Sequence, residues 1–172
     1  MKKLFLSMIL GAMVLLSACT SPVADELITY QNEEIAVTYV NLMEEAEEVF
    51  VAYEQMAGME NFEEAEVYME EEVLPVSEEL QAFLSNIELE QEEVQAVNQT
   101  LIEAHDTLHE ALEMDYESFQ LINGGQVDQG LEMAYQSQGV FEEAEQLLMD
   151  FEEERDTLME EHDVELEEVD EG

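Results

Sequence analysis

Lysine and arginine are nearly missing from this chain: three stand against 46 aspartates and glutamates, for a formal net charge of −43. Nucleic-acid binding depends on Lys and Arg that displace counterions from phosphates, so that class of partner is excluded. The same charge opposes lying on an anionic lipid surface. Cys19 is the only cysteine, so no disulfide within the chain can staple a fold. Tryptophan is absent and proline occurs twice. Serines are few, with neither a Gly-x-Ser-x-Gly elbow nor a glycine-rich phosphate loop, which removes common nucleophilic and nucleotide-binding layouts.

What is present begins at the N-terminus. Lys2 and Lys3 precede a mostly apolar run from Leu4 to Leu16, and the small residues Ser17 and Ala18 lead into Cys19. That is the layout of a secretory signal, too short and wrongly flanked for a permanent membrane span. Leu16-Ser17-Ala18-Cys19 resembles the lipobox of bacterial lipoproteins. The resemblance implies diacylglyceryl transfer to the Cys19 sulfur, cleavage before it, and a place on the outer face of the cell membrane in a Gram-positive-type bacterium. Stable anchoring needs two acyl chains rather than one. The expected organisation is a removed signal at 1–18, a lipidated N-terminus and tether at 19–25, a helical domain at 26–162 and a frayed acidic tail at 163–172. Pro22 in the tether is expected to oppose helix.

All 46 acidic residues follow Cys19, and Arg155 is the one Lys or Arg that does. Such acidity is compatible with disorder, but 47% apolar content arranged at helical spacing predicts one folded domain. Glu44 and Glu48, Glu66 and Glu70, Asp106 and Glu110, Glu113 and Glu117, and Asp156 and Glu160 each stand four apart on predicted helices. About ten such like-charge pairs, at roughly 0.2–0.5 kcal/mol each, cost about 2–5 kcal/mol at low salt. The host is therefore expected to be salt-loving or alkaliphilic, and the melting temperature to rise between low and molar sodium chloride as screening sets in. A flat or falling melting temperature would contradict this.

The apolar pattern predicts an all-α fold, an antiparallel up-down four-helix bundle with coiled-coil-like spacing. Helix one, about 25–57, uses Ile28, Ile35, Tyr39, Leu42, Ala46, Val49, Tyr53 and Met56, and Gly58 follows it as a C-cap. Asn61 with Glu64 reads as a capping-box-like start for helix two, which carries Met69, Val73, Val76, Leu80, Phe83 and Ile87 and is kinked or broken near Pro75. Helix three runs on Val94, Val97, Leu101, Ala104, Leu108, Ala111, Leu112, Phe119 and Ile122 to a stop at Asn123-Gly124-Gly125. Helix four uses Val127, Leu131, Ala134, Phe141, Ala144, Leu148, Phe151 and Leu158.

Candidate sites are sparse. His105 and His109 stand four apart on helix three and could present two imidazoles to a metal, but neither a clear third ligand nor a glutamate base accompanies them, so rim positions are preferred. The many carboxylates attract divalent cations, which gives a second functional reading as a cation-binding lipoprotein. Weak counterion binding is the simpler expectation, because Ca²⁺ and Mg²⁺ sites need convergent oxygens. A metal-dependent enzyme using His105 and His109 is a third. Methionines at core spacing are read as packing rather than copper ligands. Arg155 is expected in an exposed ion pair with Glu152 or Glu154. Tyr39, Tyr53, Tyr68, Tyr116 and Tyr135 are expected as core aromatics with hydroxyls at the bundle edge. Neither cofactor nor catalytic set is expected.

The lipobox, Glu-Val-Leu-Pro-Val at 72–76, the Glu92-Glu93-Val94 start of helix three and the acidic end of helix four together resemble small helical lipoproteins of Firmicutes. A more distant similarity is to helical cell-wall-binding lipoproteins. The resemblance implies a location on the outer face of the membrane, not an activity. With no catalytic set in the sequence, the expected role is a non-enzymatic binding or envelope-structural module with a protein or wall polymer as partner.

Overall fold

The computed structural model describes residues 13–14, 21–58 and 61–167. Lipobox residues Leu16, Ser17 and Ala18, the lipidation candidate Cys19, and 168–172 of the expected tail lie outside the described residues. The fold is all-helical, built as four rods, with one two-residue ladder in which β1 (Met13–Val14) pairs with β2 (Leu166–Glu167). The first rod runs without interruption through α1 (Pro22–Thr29), a π-helical segment π1 (Tyr30–Tyr39) and α2 (Val40–Gly58). The second comprises α3 (Phe62–Tyr68), π2 (Met69–Val73) and α4 (Leu74–Ser85). The third is α5 (Glu92–Asn123) and the fourth α6 (Val127–Glu161). No helix among the described residues is long and apolar enough to cross a membrane.

The tether expected through residue 25 ends sooner. Ser21 caps α1, its hydroxyl accepting from the Ala24 N–H at 3.1 Å. Pro22, expected to oppose helix, stands in the first turn, where its missing N–H would be unpaired anyway. π1 departs from the regular amphipathic helix the sequence predicts. Its buried residues include Tyr30, Ile35 and Tyr39, and the five-residue step from Tyr30 to Ile35 suits the wider π turn. At about 100° per residue, two residues nine apart on an α-helix face opposite sides. The π register turns Tyr30 and Tyr39 back toward the same side, and both reach α5.

In the second rod Asn61 does not cap the backbone; its amide donates instead to the Glu64 carboxylate. The buried residues Ala65, Met69, Val73 and Ser77 recur every four positions. An α-helix drifts about 40° per such step, and π2 absorbs part of that drift. Pro75 lies in the first turn of α4, directly after π2. The Glu26 carboxylate accepts from the backbone N–H groups of Glu90 and Gln91 at 2.7 Å each, so a first-rod side chain covers the donors that lead into α5. α5 ends at the expected stop, with Gly125 at φ 83° and the Gln126 N–H donating to Leu121 O at 2.8 Å.

α6 corrects the expected core. Val127 and Leu131 are exposed, and the buried face reads Gly130, Ser137, Ala144, Phe151 and Leu158, each seven on from the last. A Cβ on Gly130 would stand 2.6 Å from Ser118 O and 2.5 Å from Ile122 Cγ1, so the two longest helices meet backbone to backbone there. Beyond α6, Asp163 takes φ 55° and Val164 is buried in the core, so the fold continues past the position where the sequence predicts a frayed tail.

Two apolar clusters fill the interior. One joins Leu27, Ile35, Tyr39, Leu80, Leu84, Leu101, Phe151 and Leu158; the other joins Tyr53, Ala65, Met69, Val73, Leu108, Leu112, Phe119 and Ala144. In the second, Phe119 packs between Tyr53 and Phe62, with ring centroids 6.3 and 6.0 Å away.

Candidate functional site

The polar chemistry of this protein sits inside the bundle. Along α5 the inward positions alternate by four and three: Val94, Asn98, Leu101, His105, Leu108, Leu112, Asp115, Phe119. Three of these slots hold polar side chains, and each meets a tyrosine of the first rod. Tyr30 Oη donates to Asn98 Oδ1 at 3.1 Å, Tyr39 Oη lies 2.8 Å from His105 Nε2, and Tyr53 Oη donates to Asp115 Oδ2 at 2.5 Å. Asn98 also donates to Leu84 O at 3.3 Å, which ties in the second rod. Ser137 donates to Asp115 Oδ1, which ties in the fourth.

Burial dominates the electrostatics of these pairs. The hydroxyls of Tyr30, Tyr39 and Tyr53 are pushed well above the ordinary phenol range, chiefly by loss of water. Desolvation raises the Asp115 carboxyl, opposed by the hydrogen bonds from Ser137 and Tyr53. His105 is fully buried, and desolvation lowers it to about 4. It is therefore neutral at pH 7. Its Nδ1 has no partner among the described residues, and neither does the buried Gln31 Oε1 on π1. Replacing Asp115 with asparagine puts an amide where two hydroxyls donate. The expected loss is about 1–2 kcal/mol in urea unfolding, with the helix content of the folded state kept. An unchanged midpoint would mean that the carboxylate does not hold the rods.

His105 is thus a core residue, against the expectation of a rim position. A neutral imidazole edge-on to Tyr39, with centroids 5.5 Å apart, satisfies one of its nitrogens and fills core volume. His109 turns to another rod, with Nδ1 3.0 Å from Ser77 Oγ and Nε2 3.8 Å from Glu113. The two imidazoles expected as a possible metal pair therefore do not converge, and among the described residues no three His, Cys, Asp or Glu side chains are placed to hold a metal ion.

Arg155 also departs from expectation. It is buried, its guanidinium donates to Asp156 Oδ1 at 2.8 and 3.0 Å, and it stands 5.7 Å from the Phe151 ring centre. The long apolar stem accounts for this, because it can be covered while the charged end meets an exposed carboxylate. Tyr68 and Tyr116 are half-buried, whereas Tyr135 stands in solvent. The buried tyrosines end in the interior rather than at the bundle edge.

On the outside, an open groove of about 500 Å³ between α5 and α6 is lined by Val97, Thr100, Leu158 and the carboxylates of Asp150, Glu153, Glu154 and Glu161. Thr100 Oγ1 donates across it to Glu154 at 2.6 Å. Its walls mix apolar and acidic side chains, and the buried pairs do not line it. Comparison with known proteins finds no matching family model, no matching curated protein and no matching solved structure.

Proposed function

We propose that this chain is a lipid-anchored extracytoplasmic protein held on the outer face of the cell membrane through Cys19, and that it acts as a non-enzymatic binding or envelope-structural module. The observation that carries this reading is the position of the lipobox. Only Thr20 separates Cys19 from Ser21, the residue that caps α1, so the domain begins where the anchor ends. Cleavage before Cys19 would confine the β1–β2 ladder to the precursor, since Met13 and Val14 belong to the removed segment.

The architecture belonging to this reading is an antiparallel up-down bundle with a kinked second rod. Thr100 with Glu154, Asp115 with Ser137, and Ser118 with Gly130 support opposite directions for α5 and α6, because one partner's number rises as the other's falls. The π turn next to Pro75 supports the kink. Ser21 Oγ lies 3.0 Å from His162 Nδ1, so the start of the first rod and the end of the fourth lie together; on this reading that end faces the membrane.

The non-enzymatic part rests on where the polar groups are used. Asn98, His105 and Asp115 each meet a tyrosine across the core, which fixes which rods face each other and in what register, the best-attested use of buried polar residues in helical assemblies. Crosslinking the full-length chain on its own membrane is expected to return the same protein or wall polymer in repeated captures. Repeated blanks would count against a binding role.

A further inference from the structure

In the first half of α6 the usual assignment of residues is inverted. The inward positions are the small Gly130, Ser137 and Ala144, while Val127, Leu131 and Tyr135, four apart on one face, are 47%, 54% and 77% exposed. Scattered surface apolar residues are ordinary; here three large ones share one helix face, a grouping that suits a contact surface. Asp128 and Glu132, both exposed, flank this stripe, and Glu142 continues the same face one further turn beyond Gln138. The one cation on α6, Arg155, is twenty residues beyond Tyr135, roughly 30 Å along the helix.

We propose that Val127, Leu131 and Tyr135 form a docking face for a basic amphipathic helix of a partner protein, with its apolar side on this stripe and its Lys and Arg against Asp128, Glu132 and Glu142. This rests on the binding-module reading above and names the partner's chemistry. Charge complementarity selects the occupant: a second copy of this chain would bring like charge to a face that already has an excess of it. Position argues against lipid. Leu131 is 31 residues before His162, so the stripe lies roughly 45 Å from the end at which Ser21 meets His162. A helix seated by anchors at every fourth residue matches the spacing on offer.

The test uses the full-length chain and a synthetic Leu/Lys peptide of ~18 residues, about five turns, with leucine confined to one helical face. A scrambled peptide of identical composition is the control. Titrations run in about 1 M sodium chloride, where the Debye length falls to about 3 Å and diffuse attraction is screened. The amphipathic peptide is expected to bind at least about tenfold more tightly than the scrambled one. The double variant Leu131→Glu, Tyr135→Glu is expected to reduce it to the scrambled level, whereas Val37→Glu, which removes an exposed valine from the first rod, changes nothing. All these positions are exposed, so the melting curves confirm that each variant is folded.

Equal affinity for the two peptides, or a double variant that binds like the parent, would overturn the proposal in favour of nonspecific charge attraction. Concentration-dependent dimers abolished by Leu131→Glu would overturn it in favour of self-association, and vesicle binding abolished by the same change in favour of lipid. Loss of peptide binding specificity with Cys19 acylated and crosslinked partners retained would remove this face alone. Failure of acylation would remove the anchored reading whatever the peptide does.

Discussion

Replacing Gly130 with valine is expected to lower the melting temperature by roughly 6–12 °C, a loss of about 3 kcal/mol for a domain of this size. The hydrogen of Gly130 faces the backbone of α5, and a Cβ there would stand 2.6 Å from Ser118 O, an atom that no side-chain rotation can move aside. Accommodating a branched side chain means moving the helices apart, which also disturbs the Ser137–Asp115 contact two turns along. Gly139, on the same helix, has nothing within 4 Å of the place where its Cβ would be. There, Gly139→Ala is expected to stabilise by about 0.5–1 kcal/mol, the ordinary gain of replacing glycine in a helix interior. Opposite signs at two glycines nine residues apart would establish where the helices touch. A Gly130→Val protein as stable as its parent would place that contact elsewhere.

The second large effect is acid sensitivity traced to His105. The unfolded chain takes up a proton at this residue near the ordinary histidine value of about 6.5, whereas the folded chain resists until about 4. The folded value is the lower one, so this contribution is complete above about pH 6.5 and is lost as pH falls toward 4. At 1.36 kcal/mol per pH unit the loss is about 3 kcal/mol. Geometry explains the resistance: Tyr39 answers Nε2, Nδ1 has no partner, and a second proton would place a cation in the apolar core. One charged group of the fourth rod, Glu152, acts on this pair through Tyr39, and burial raises its own carboxyl. Asp115 and Glu152, both raised, gain in the opposite direction as they protonate, and so does the relief of surface repulsion. The decisive quantity is therefore the difference between the parent and His105→Gln, which keeps an acceptor for Tyr39 but does not titrate. Between pH 6.5 and 4 the parent should lose about 3 kcal/mol more than the variant. Parallel pH profiles would show that His105 takes up its proton equally in both states.

Much of the fold is legible in the sequence, and the failures share one cause. The four rods and the stop at Asn123-Gly124-Gly125 follow from apolar spacing and glycine placement, which are local signals. The buried pairs are missed because periodicity is sought only among apolar residue types. Asn98, His105 and Asp115 occupy core slots of the four-and-three alternation on α5, and their pattern shows as soon as position is weighed above chemistry. The same bias misreads α6, where Val127 and Leu131 look like core and Gly130 and Ser137 are core. Close helix contact favours small residues, and a search for large apolar ones points to the wrong face. The π turns leave a subtler trace, the step of five from Tyr30 to Ile35 and the run of fours from Ala65 to Ser77. The Glu26 contact with Glu90 and Gln91 has no local signal, because the partners are 64 and 65 residues apart.

The central claim is that Cys19 carries this domain to the membrane surface. Intact mass and N-terminal peptide mass of the protein isolated from a Gram-positive host test it most directly. A mature chain that begins at Cys19 and bears diacylglyceryl on its sulfur is predicted. A chain that retains residues 1–18, or a Cys19 whose free thiol reacts with maleimide, would contradict it.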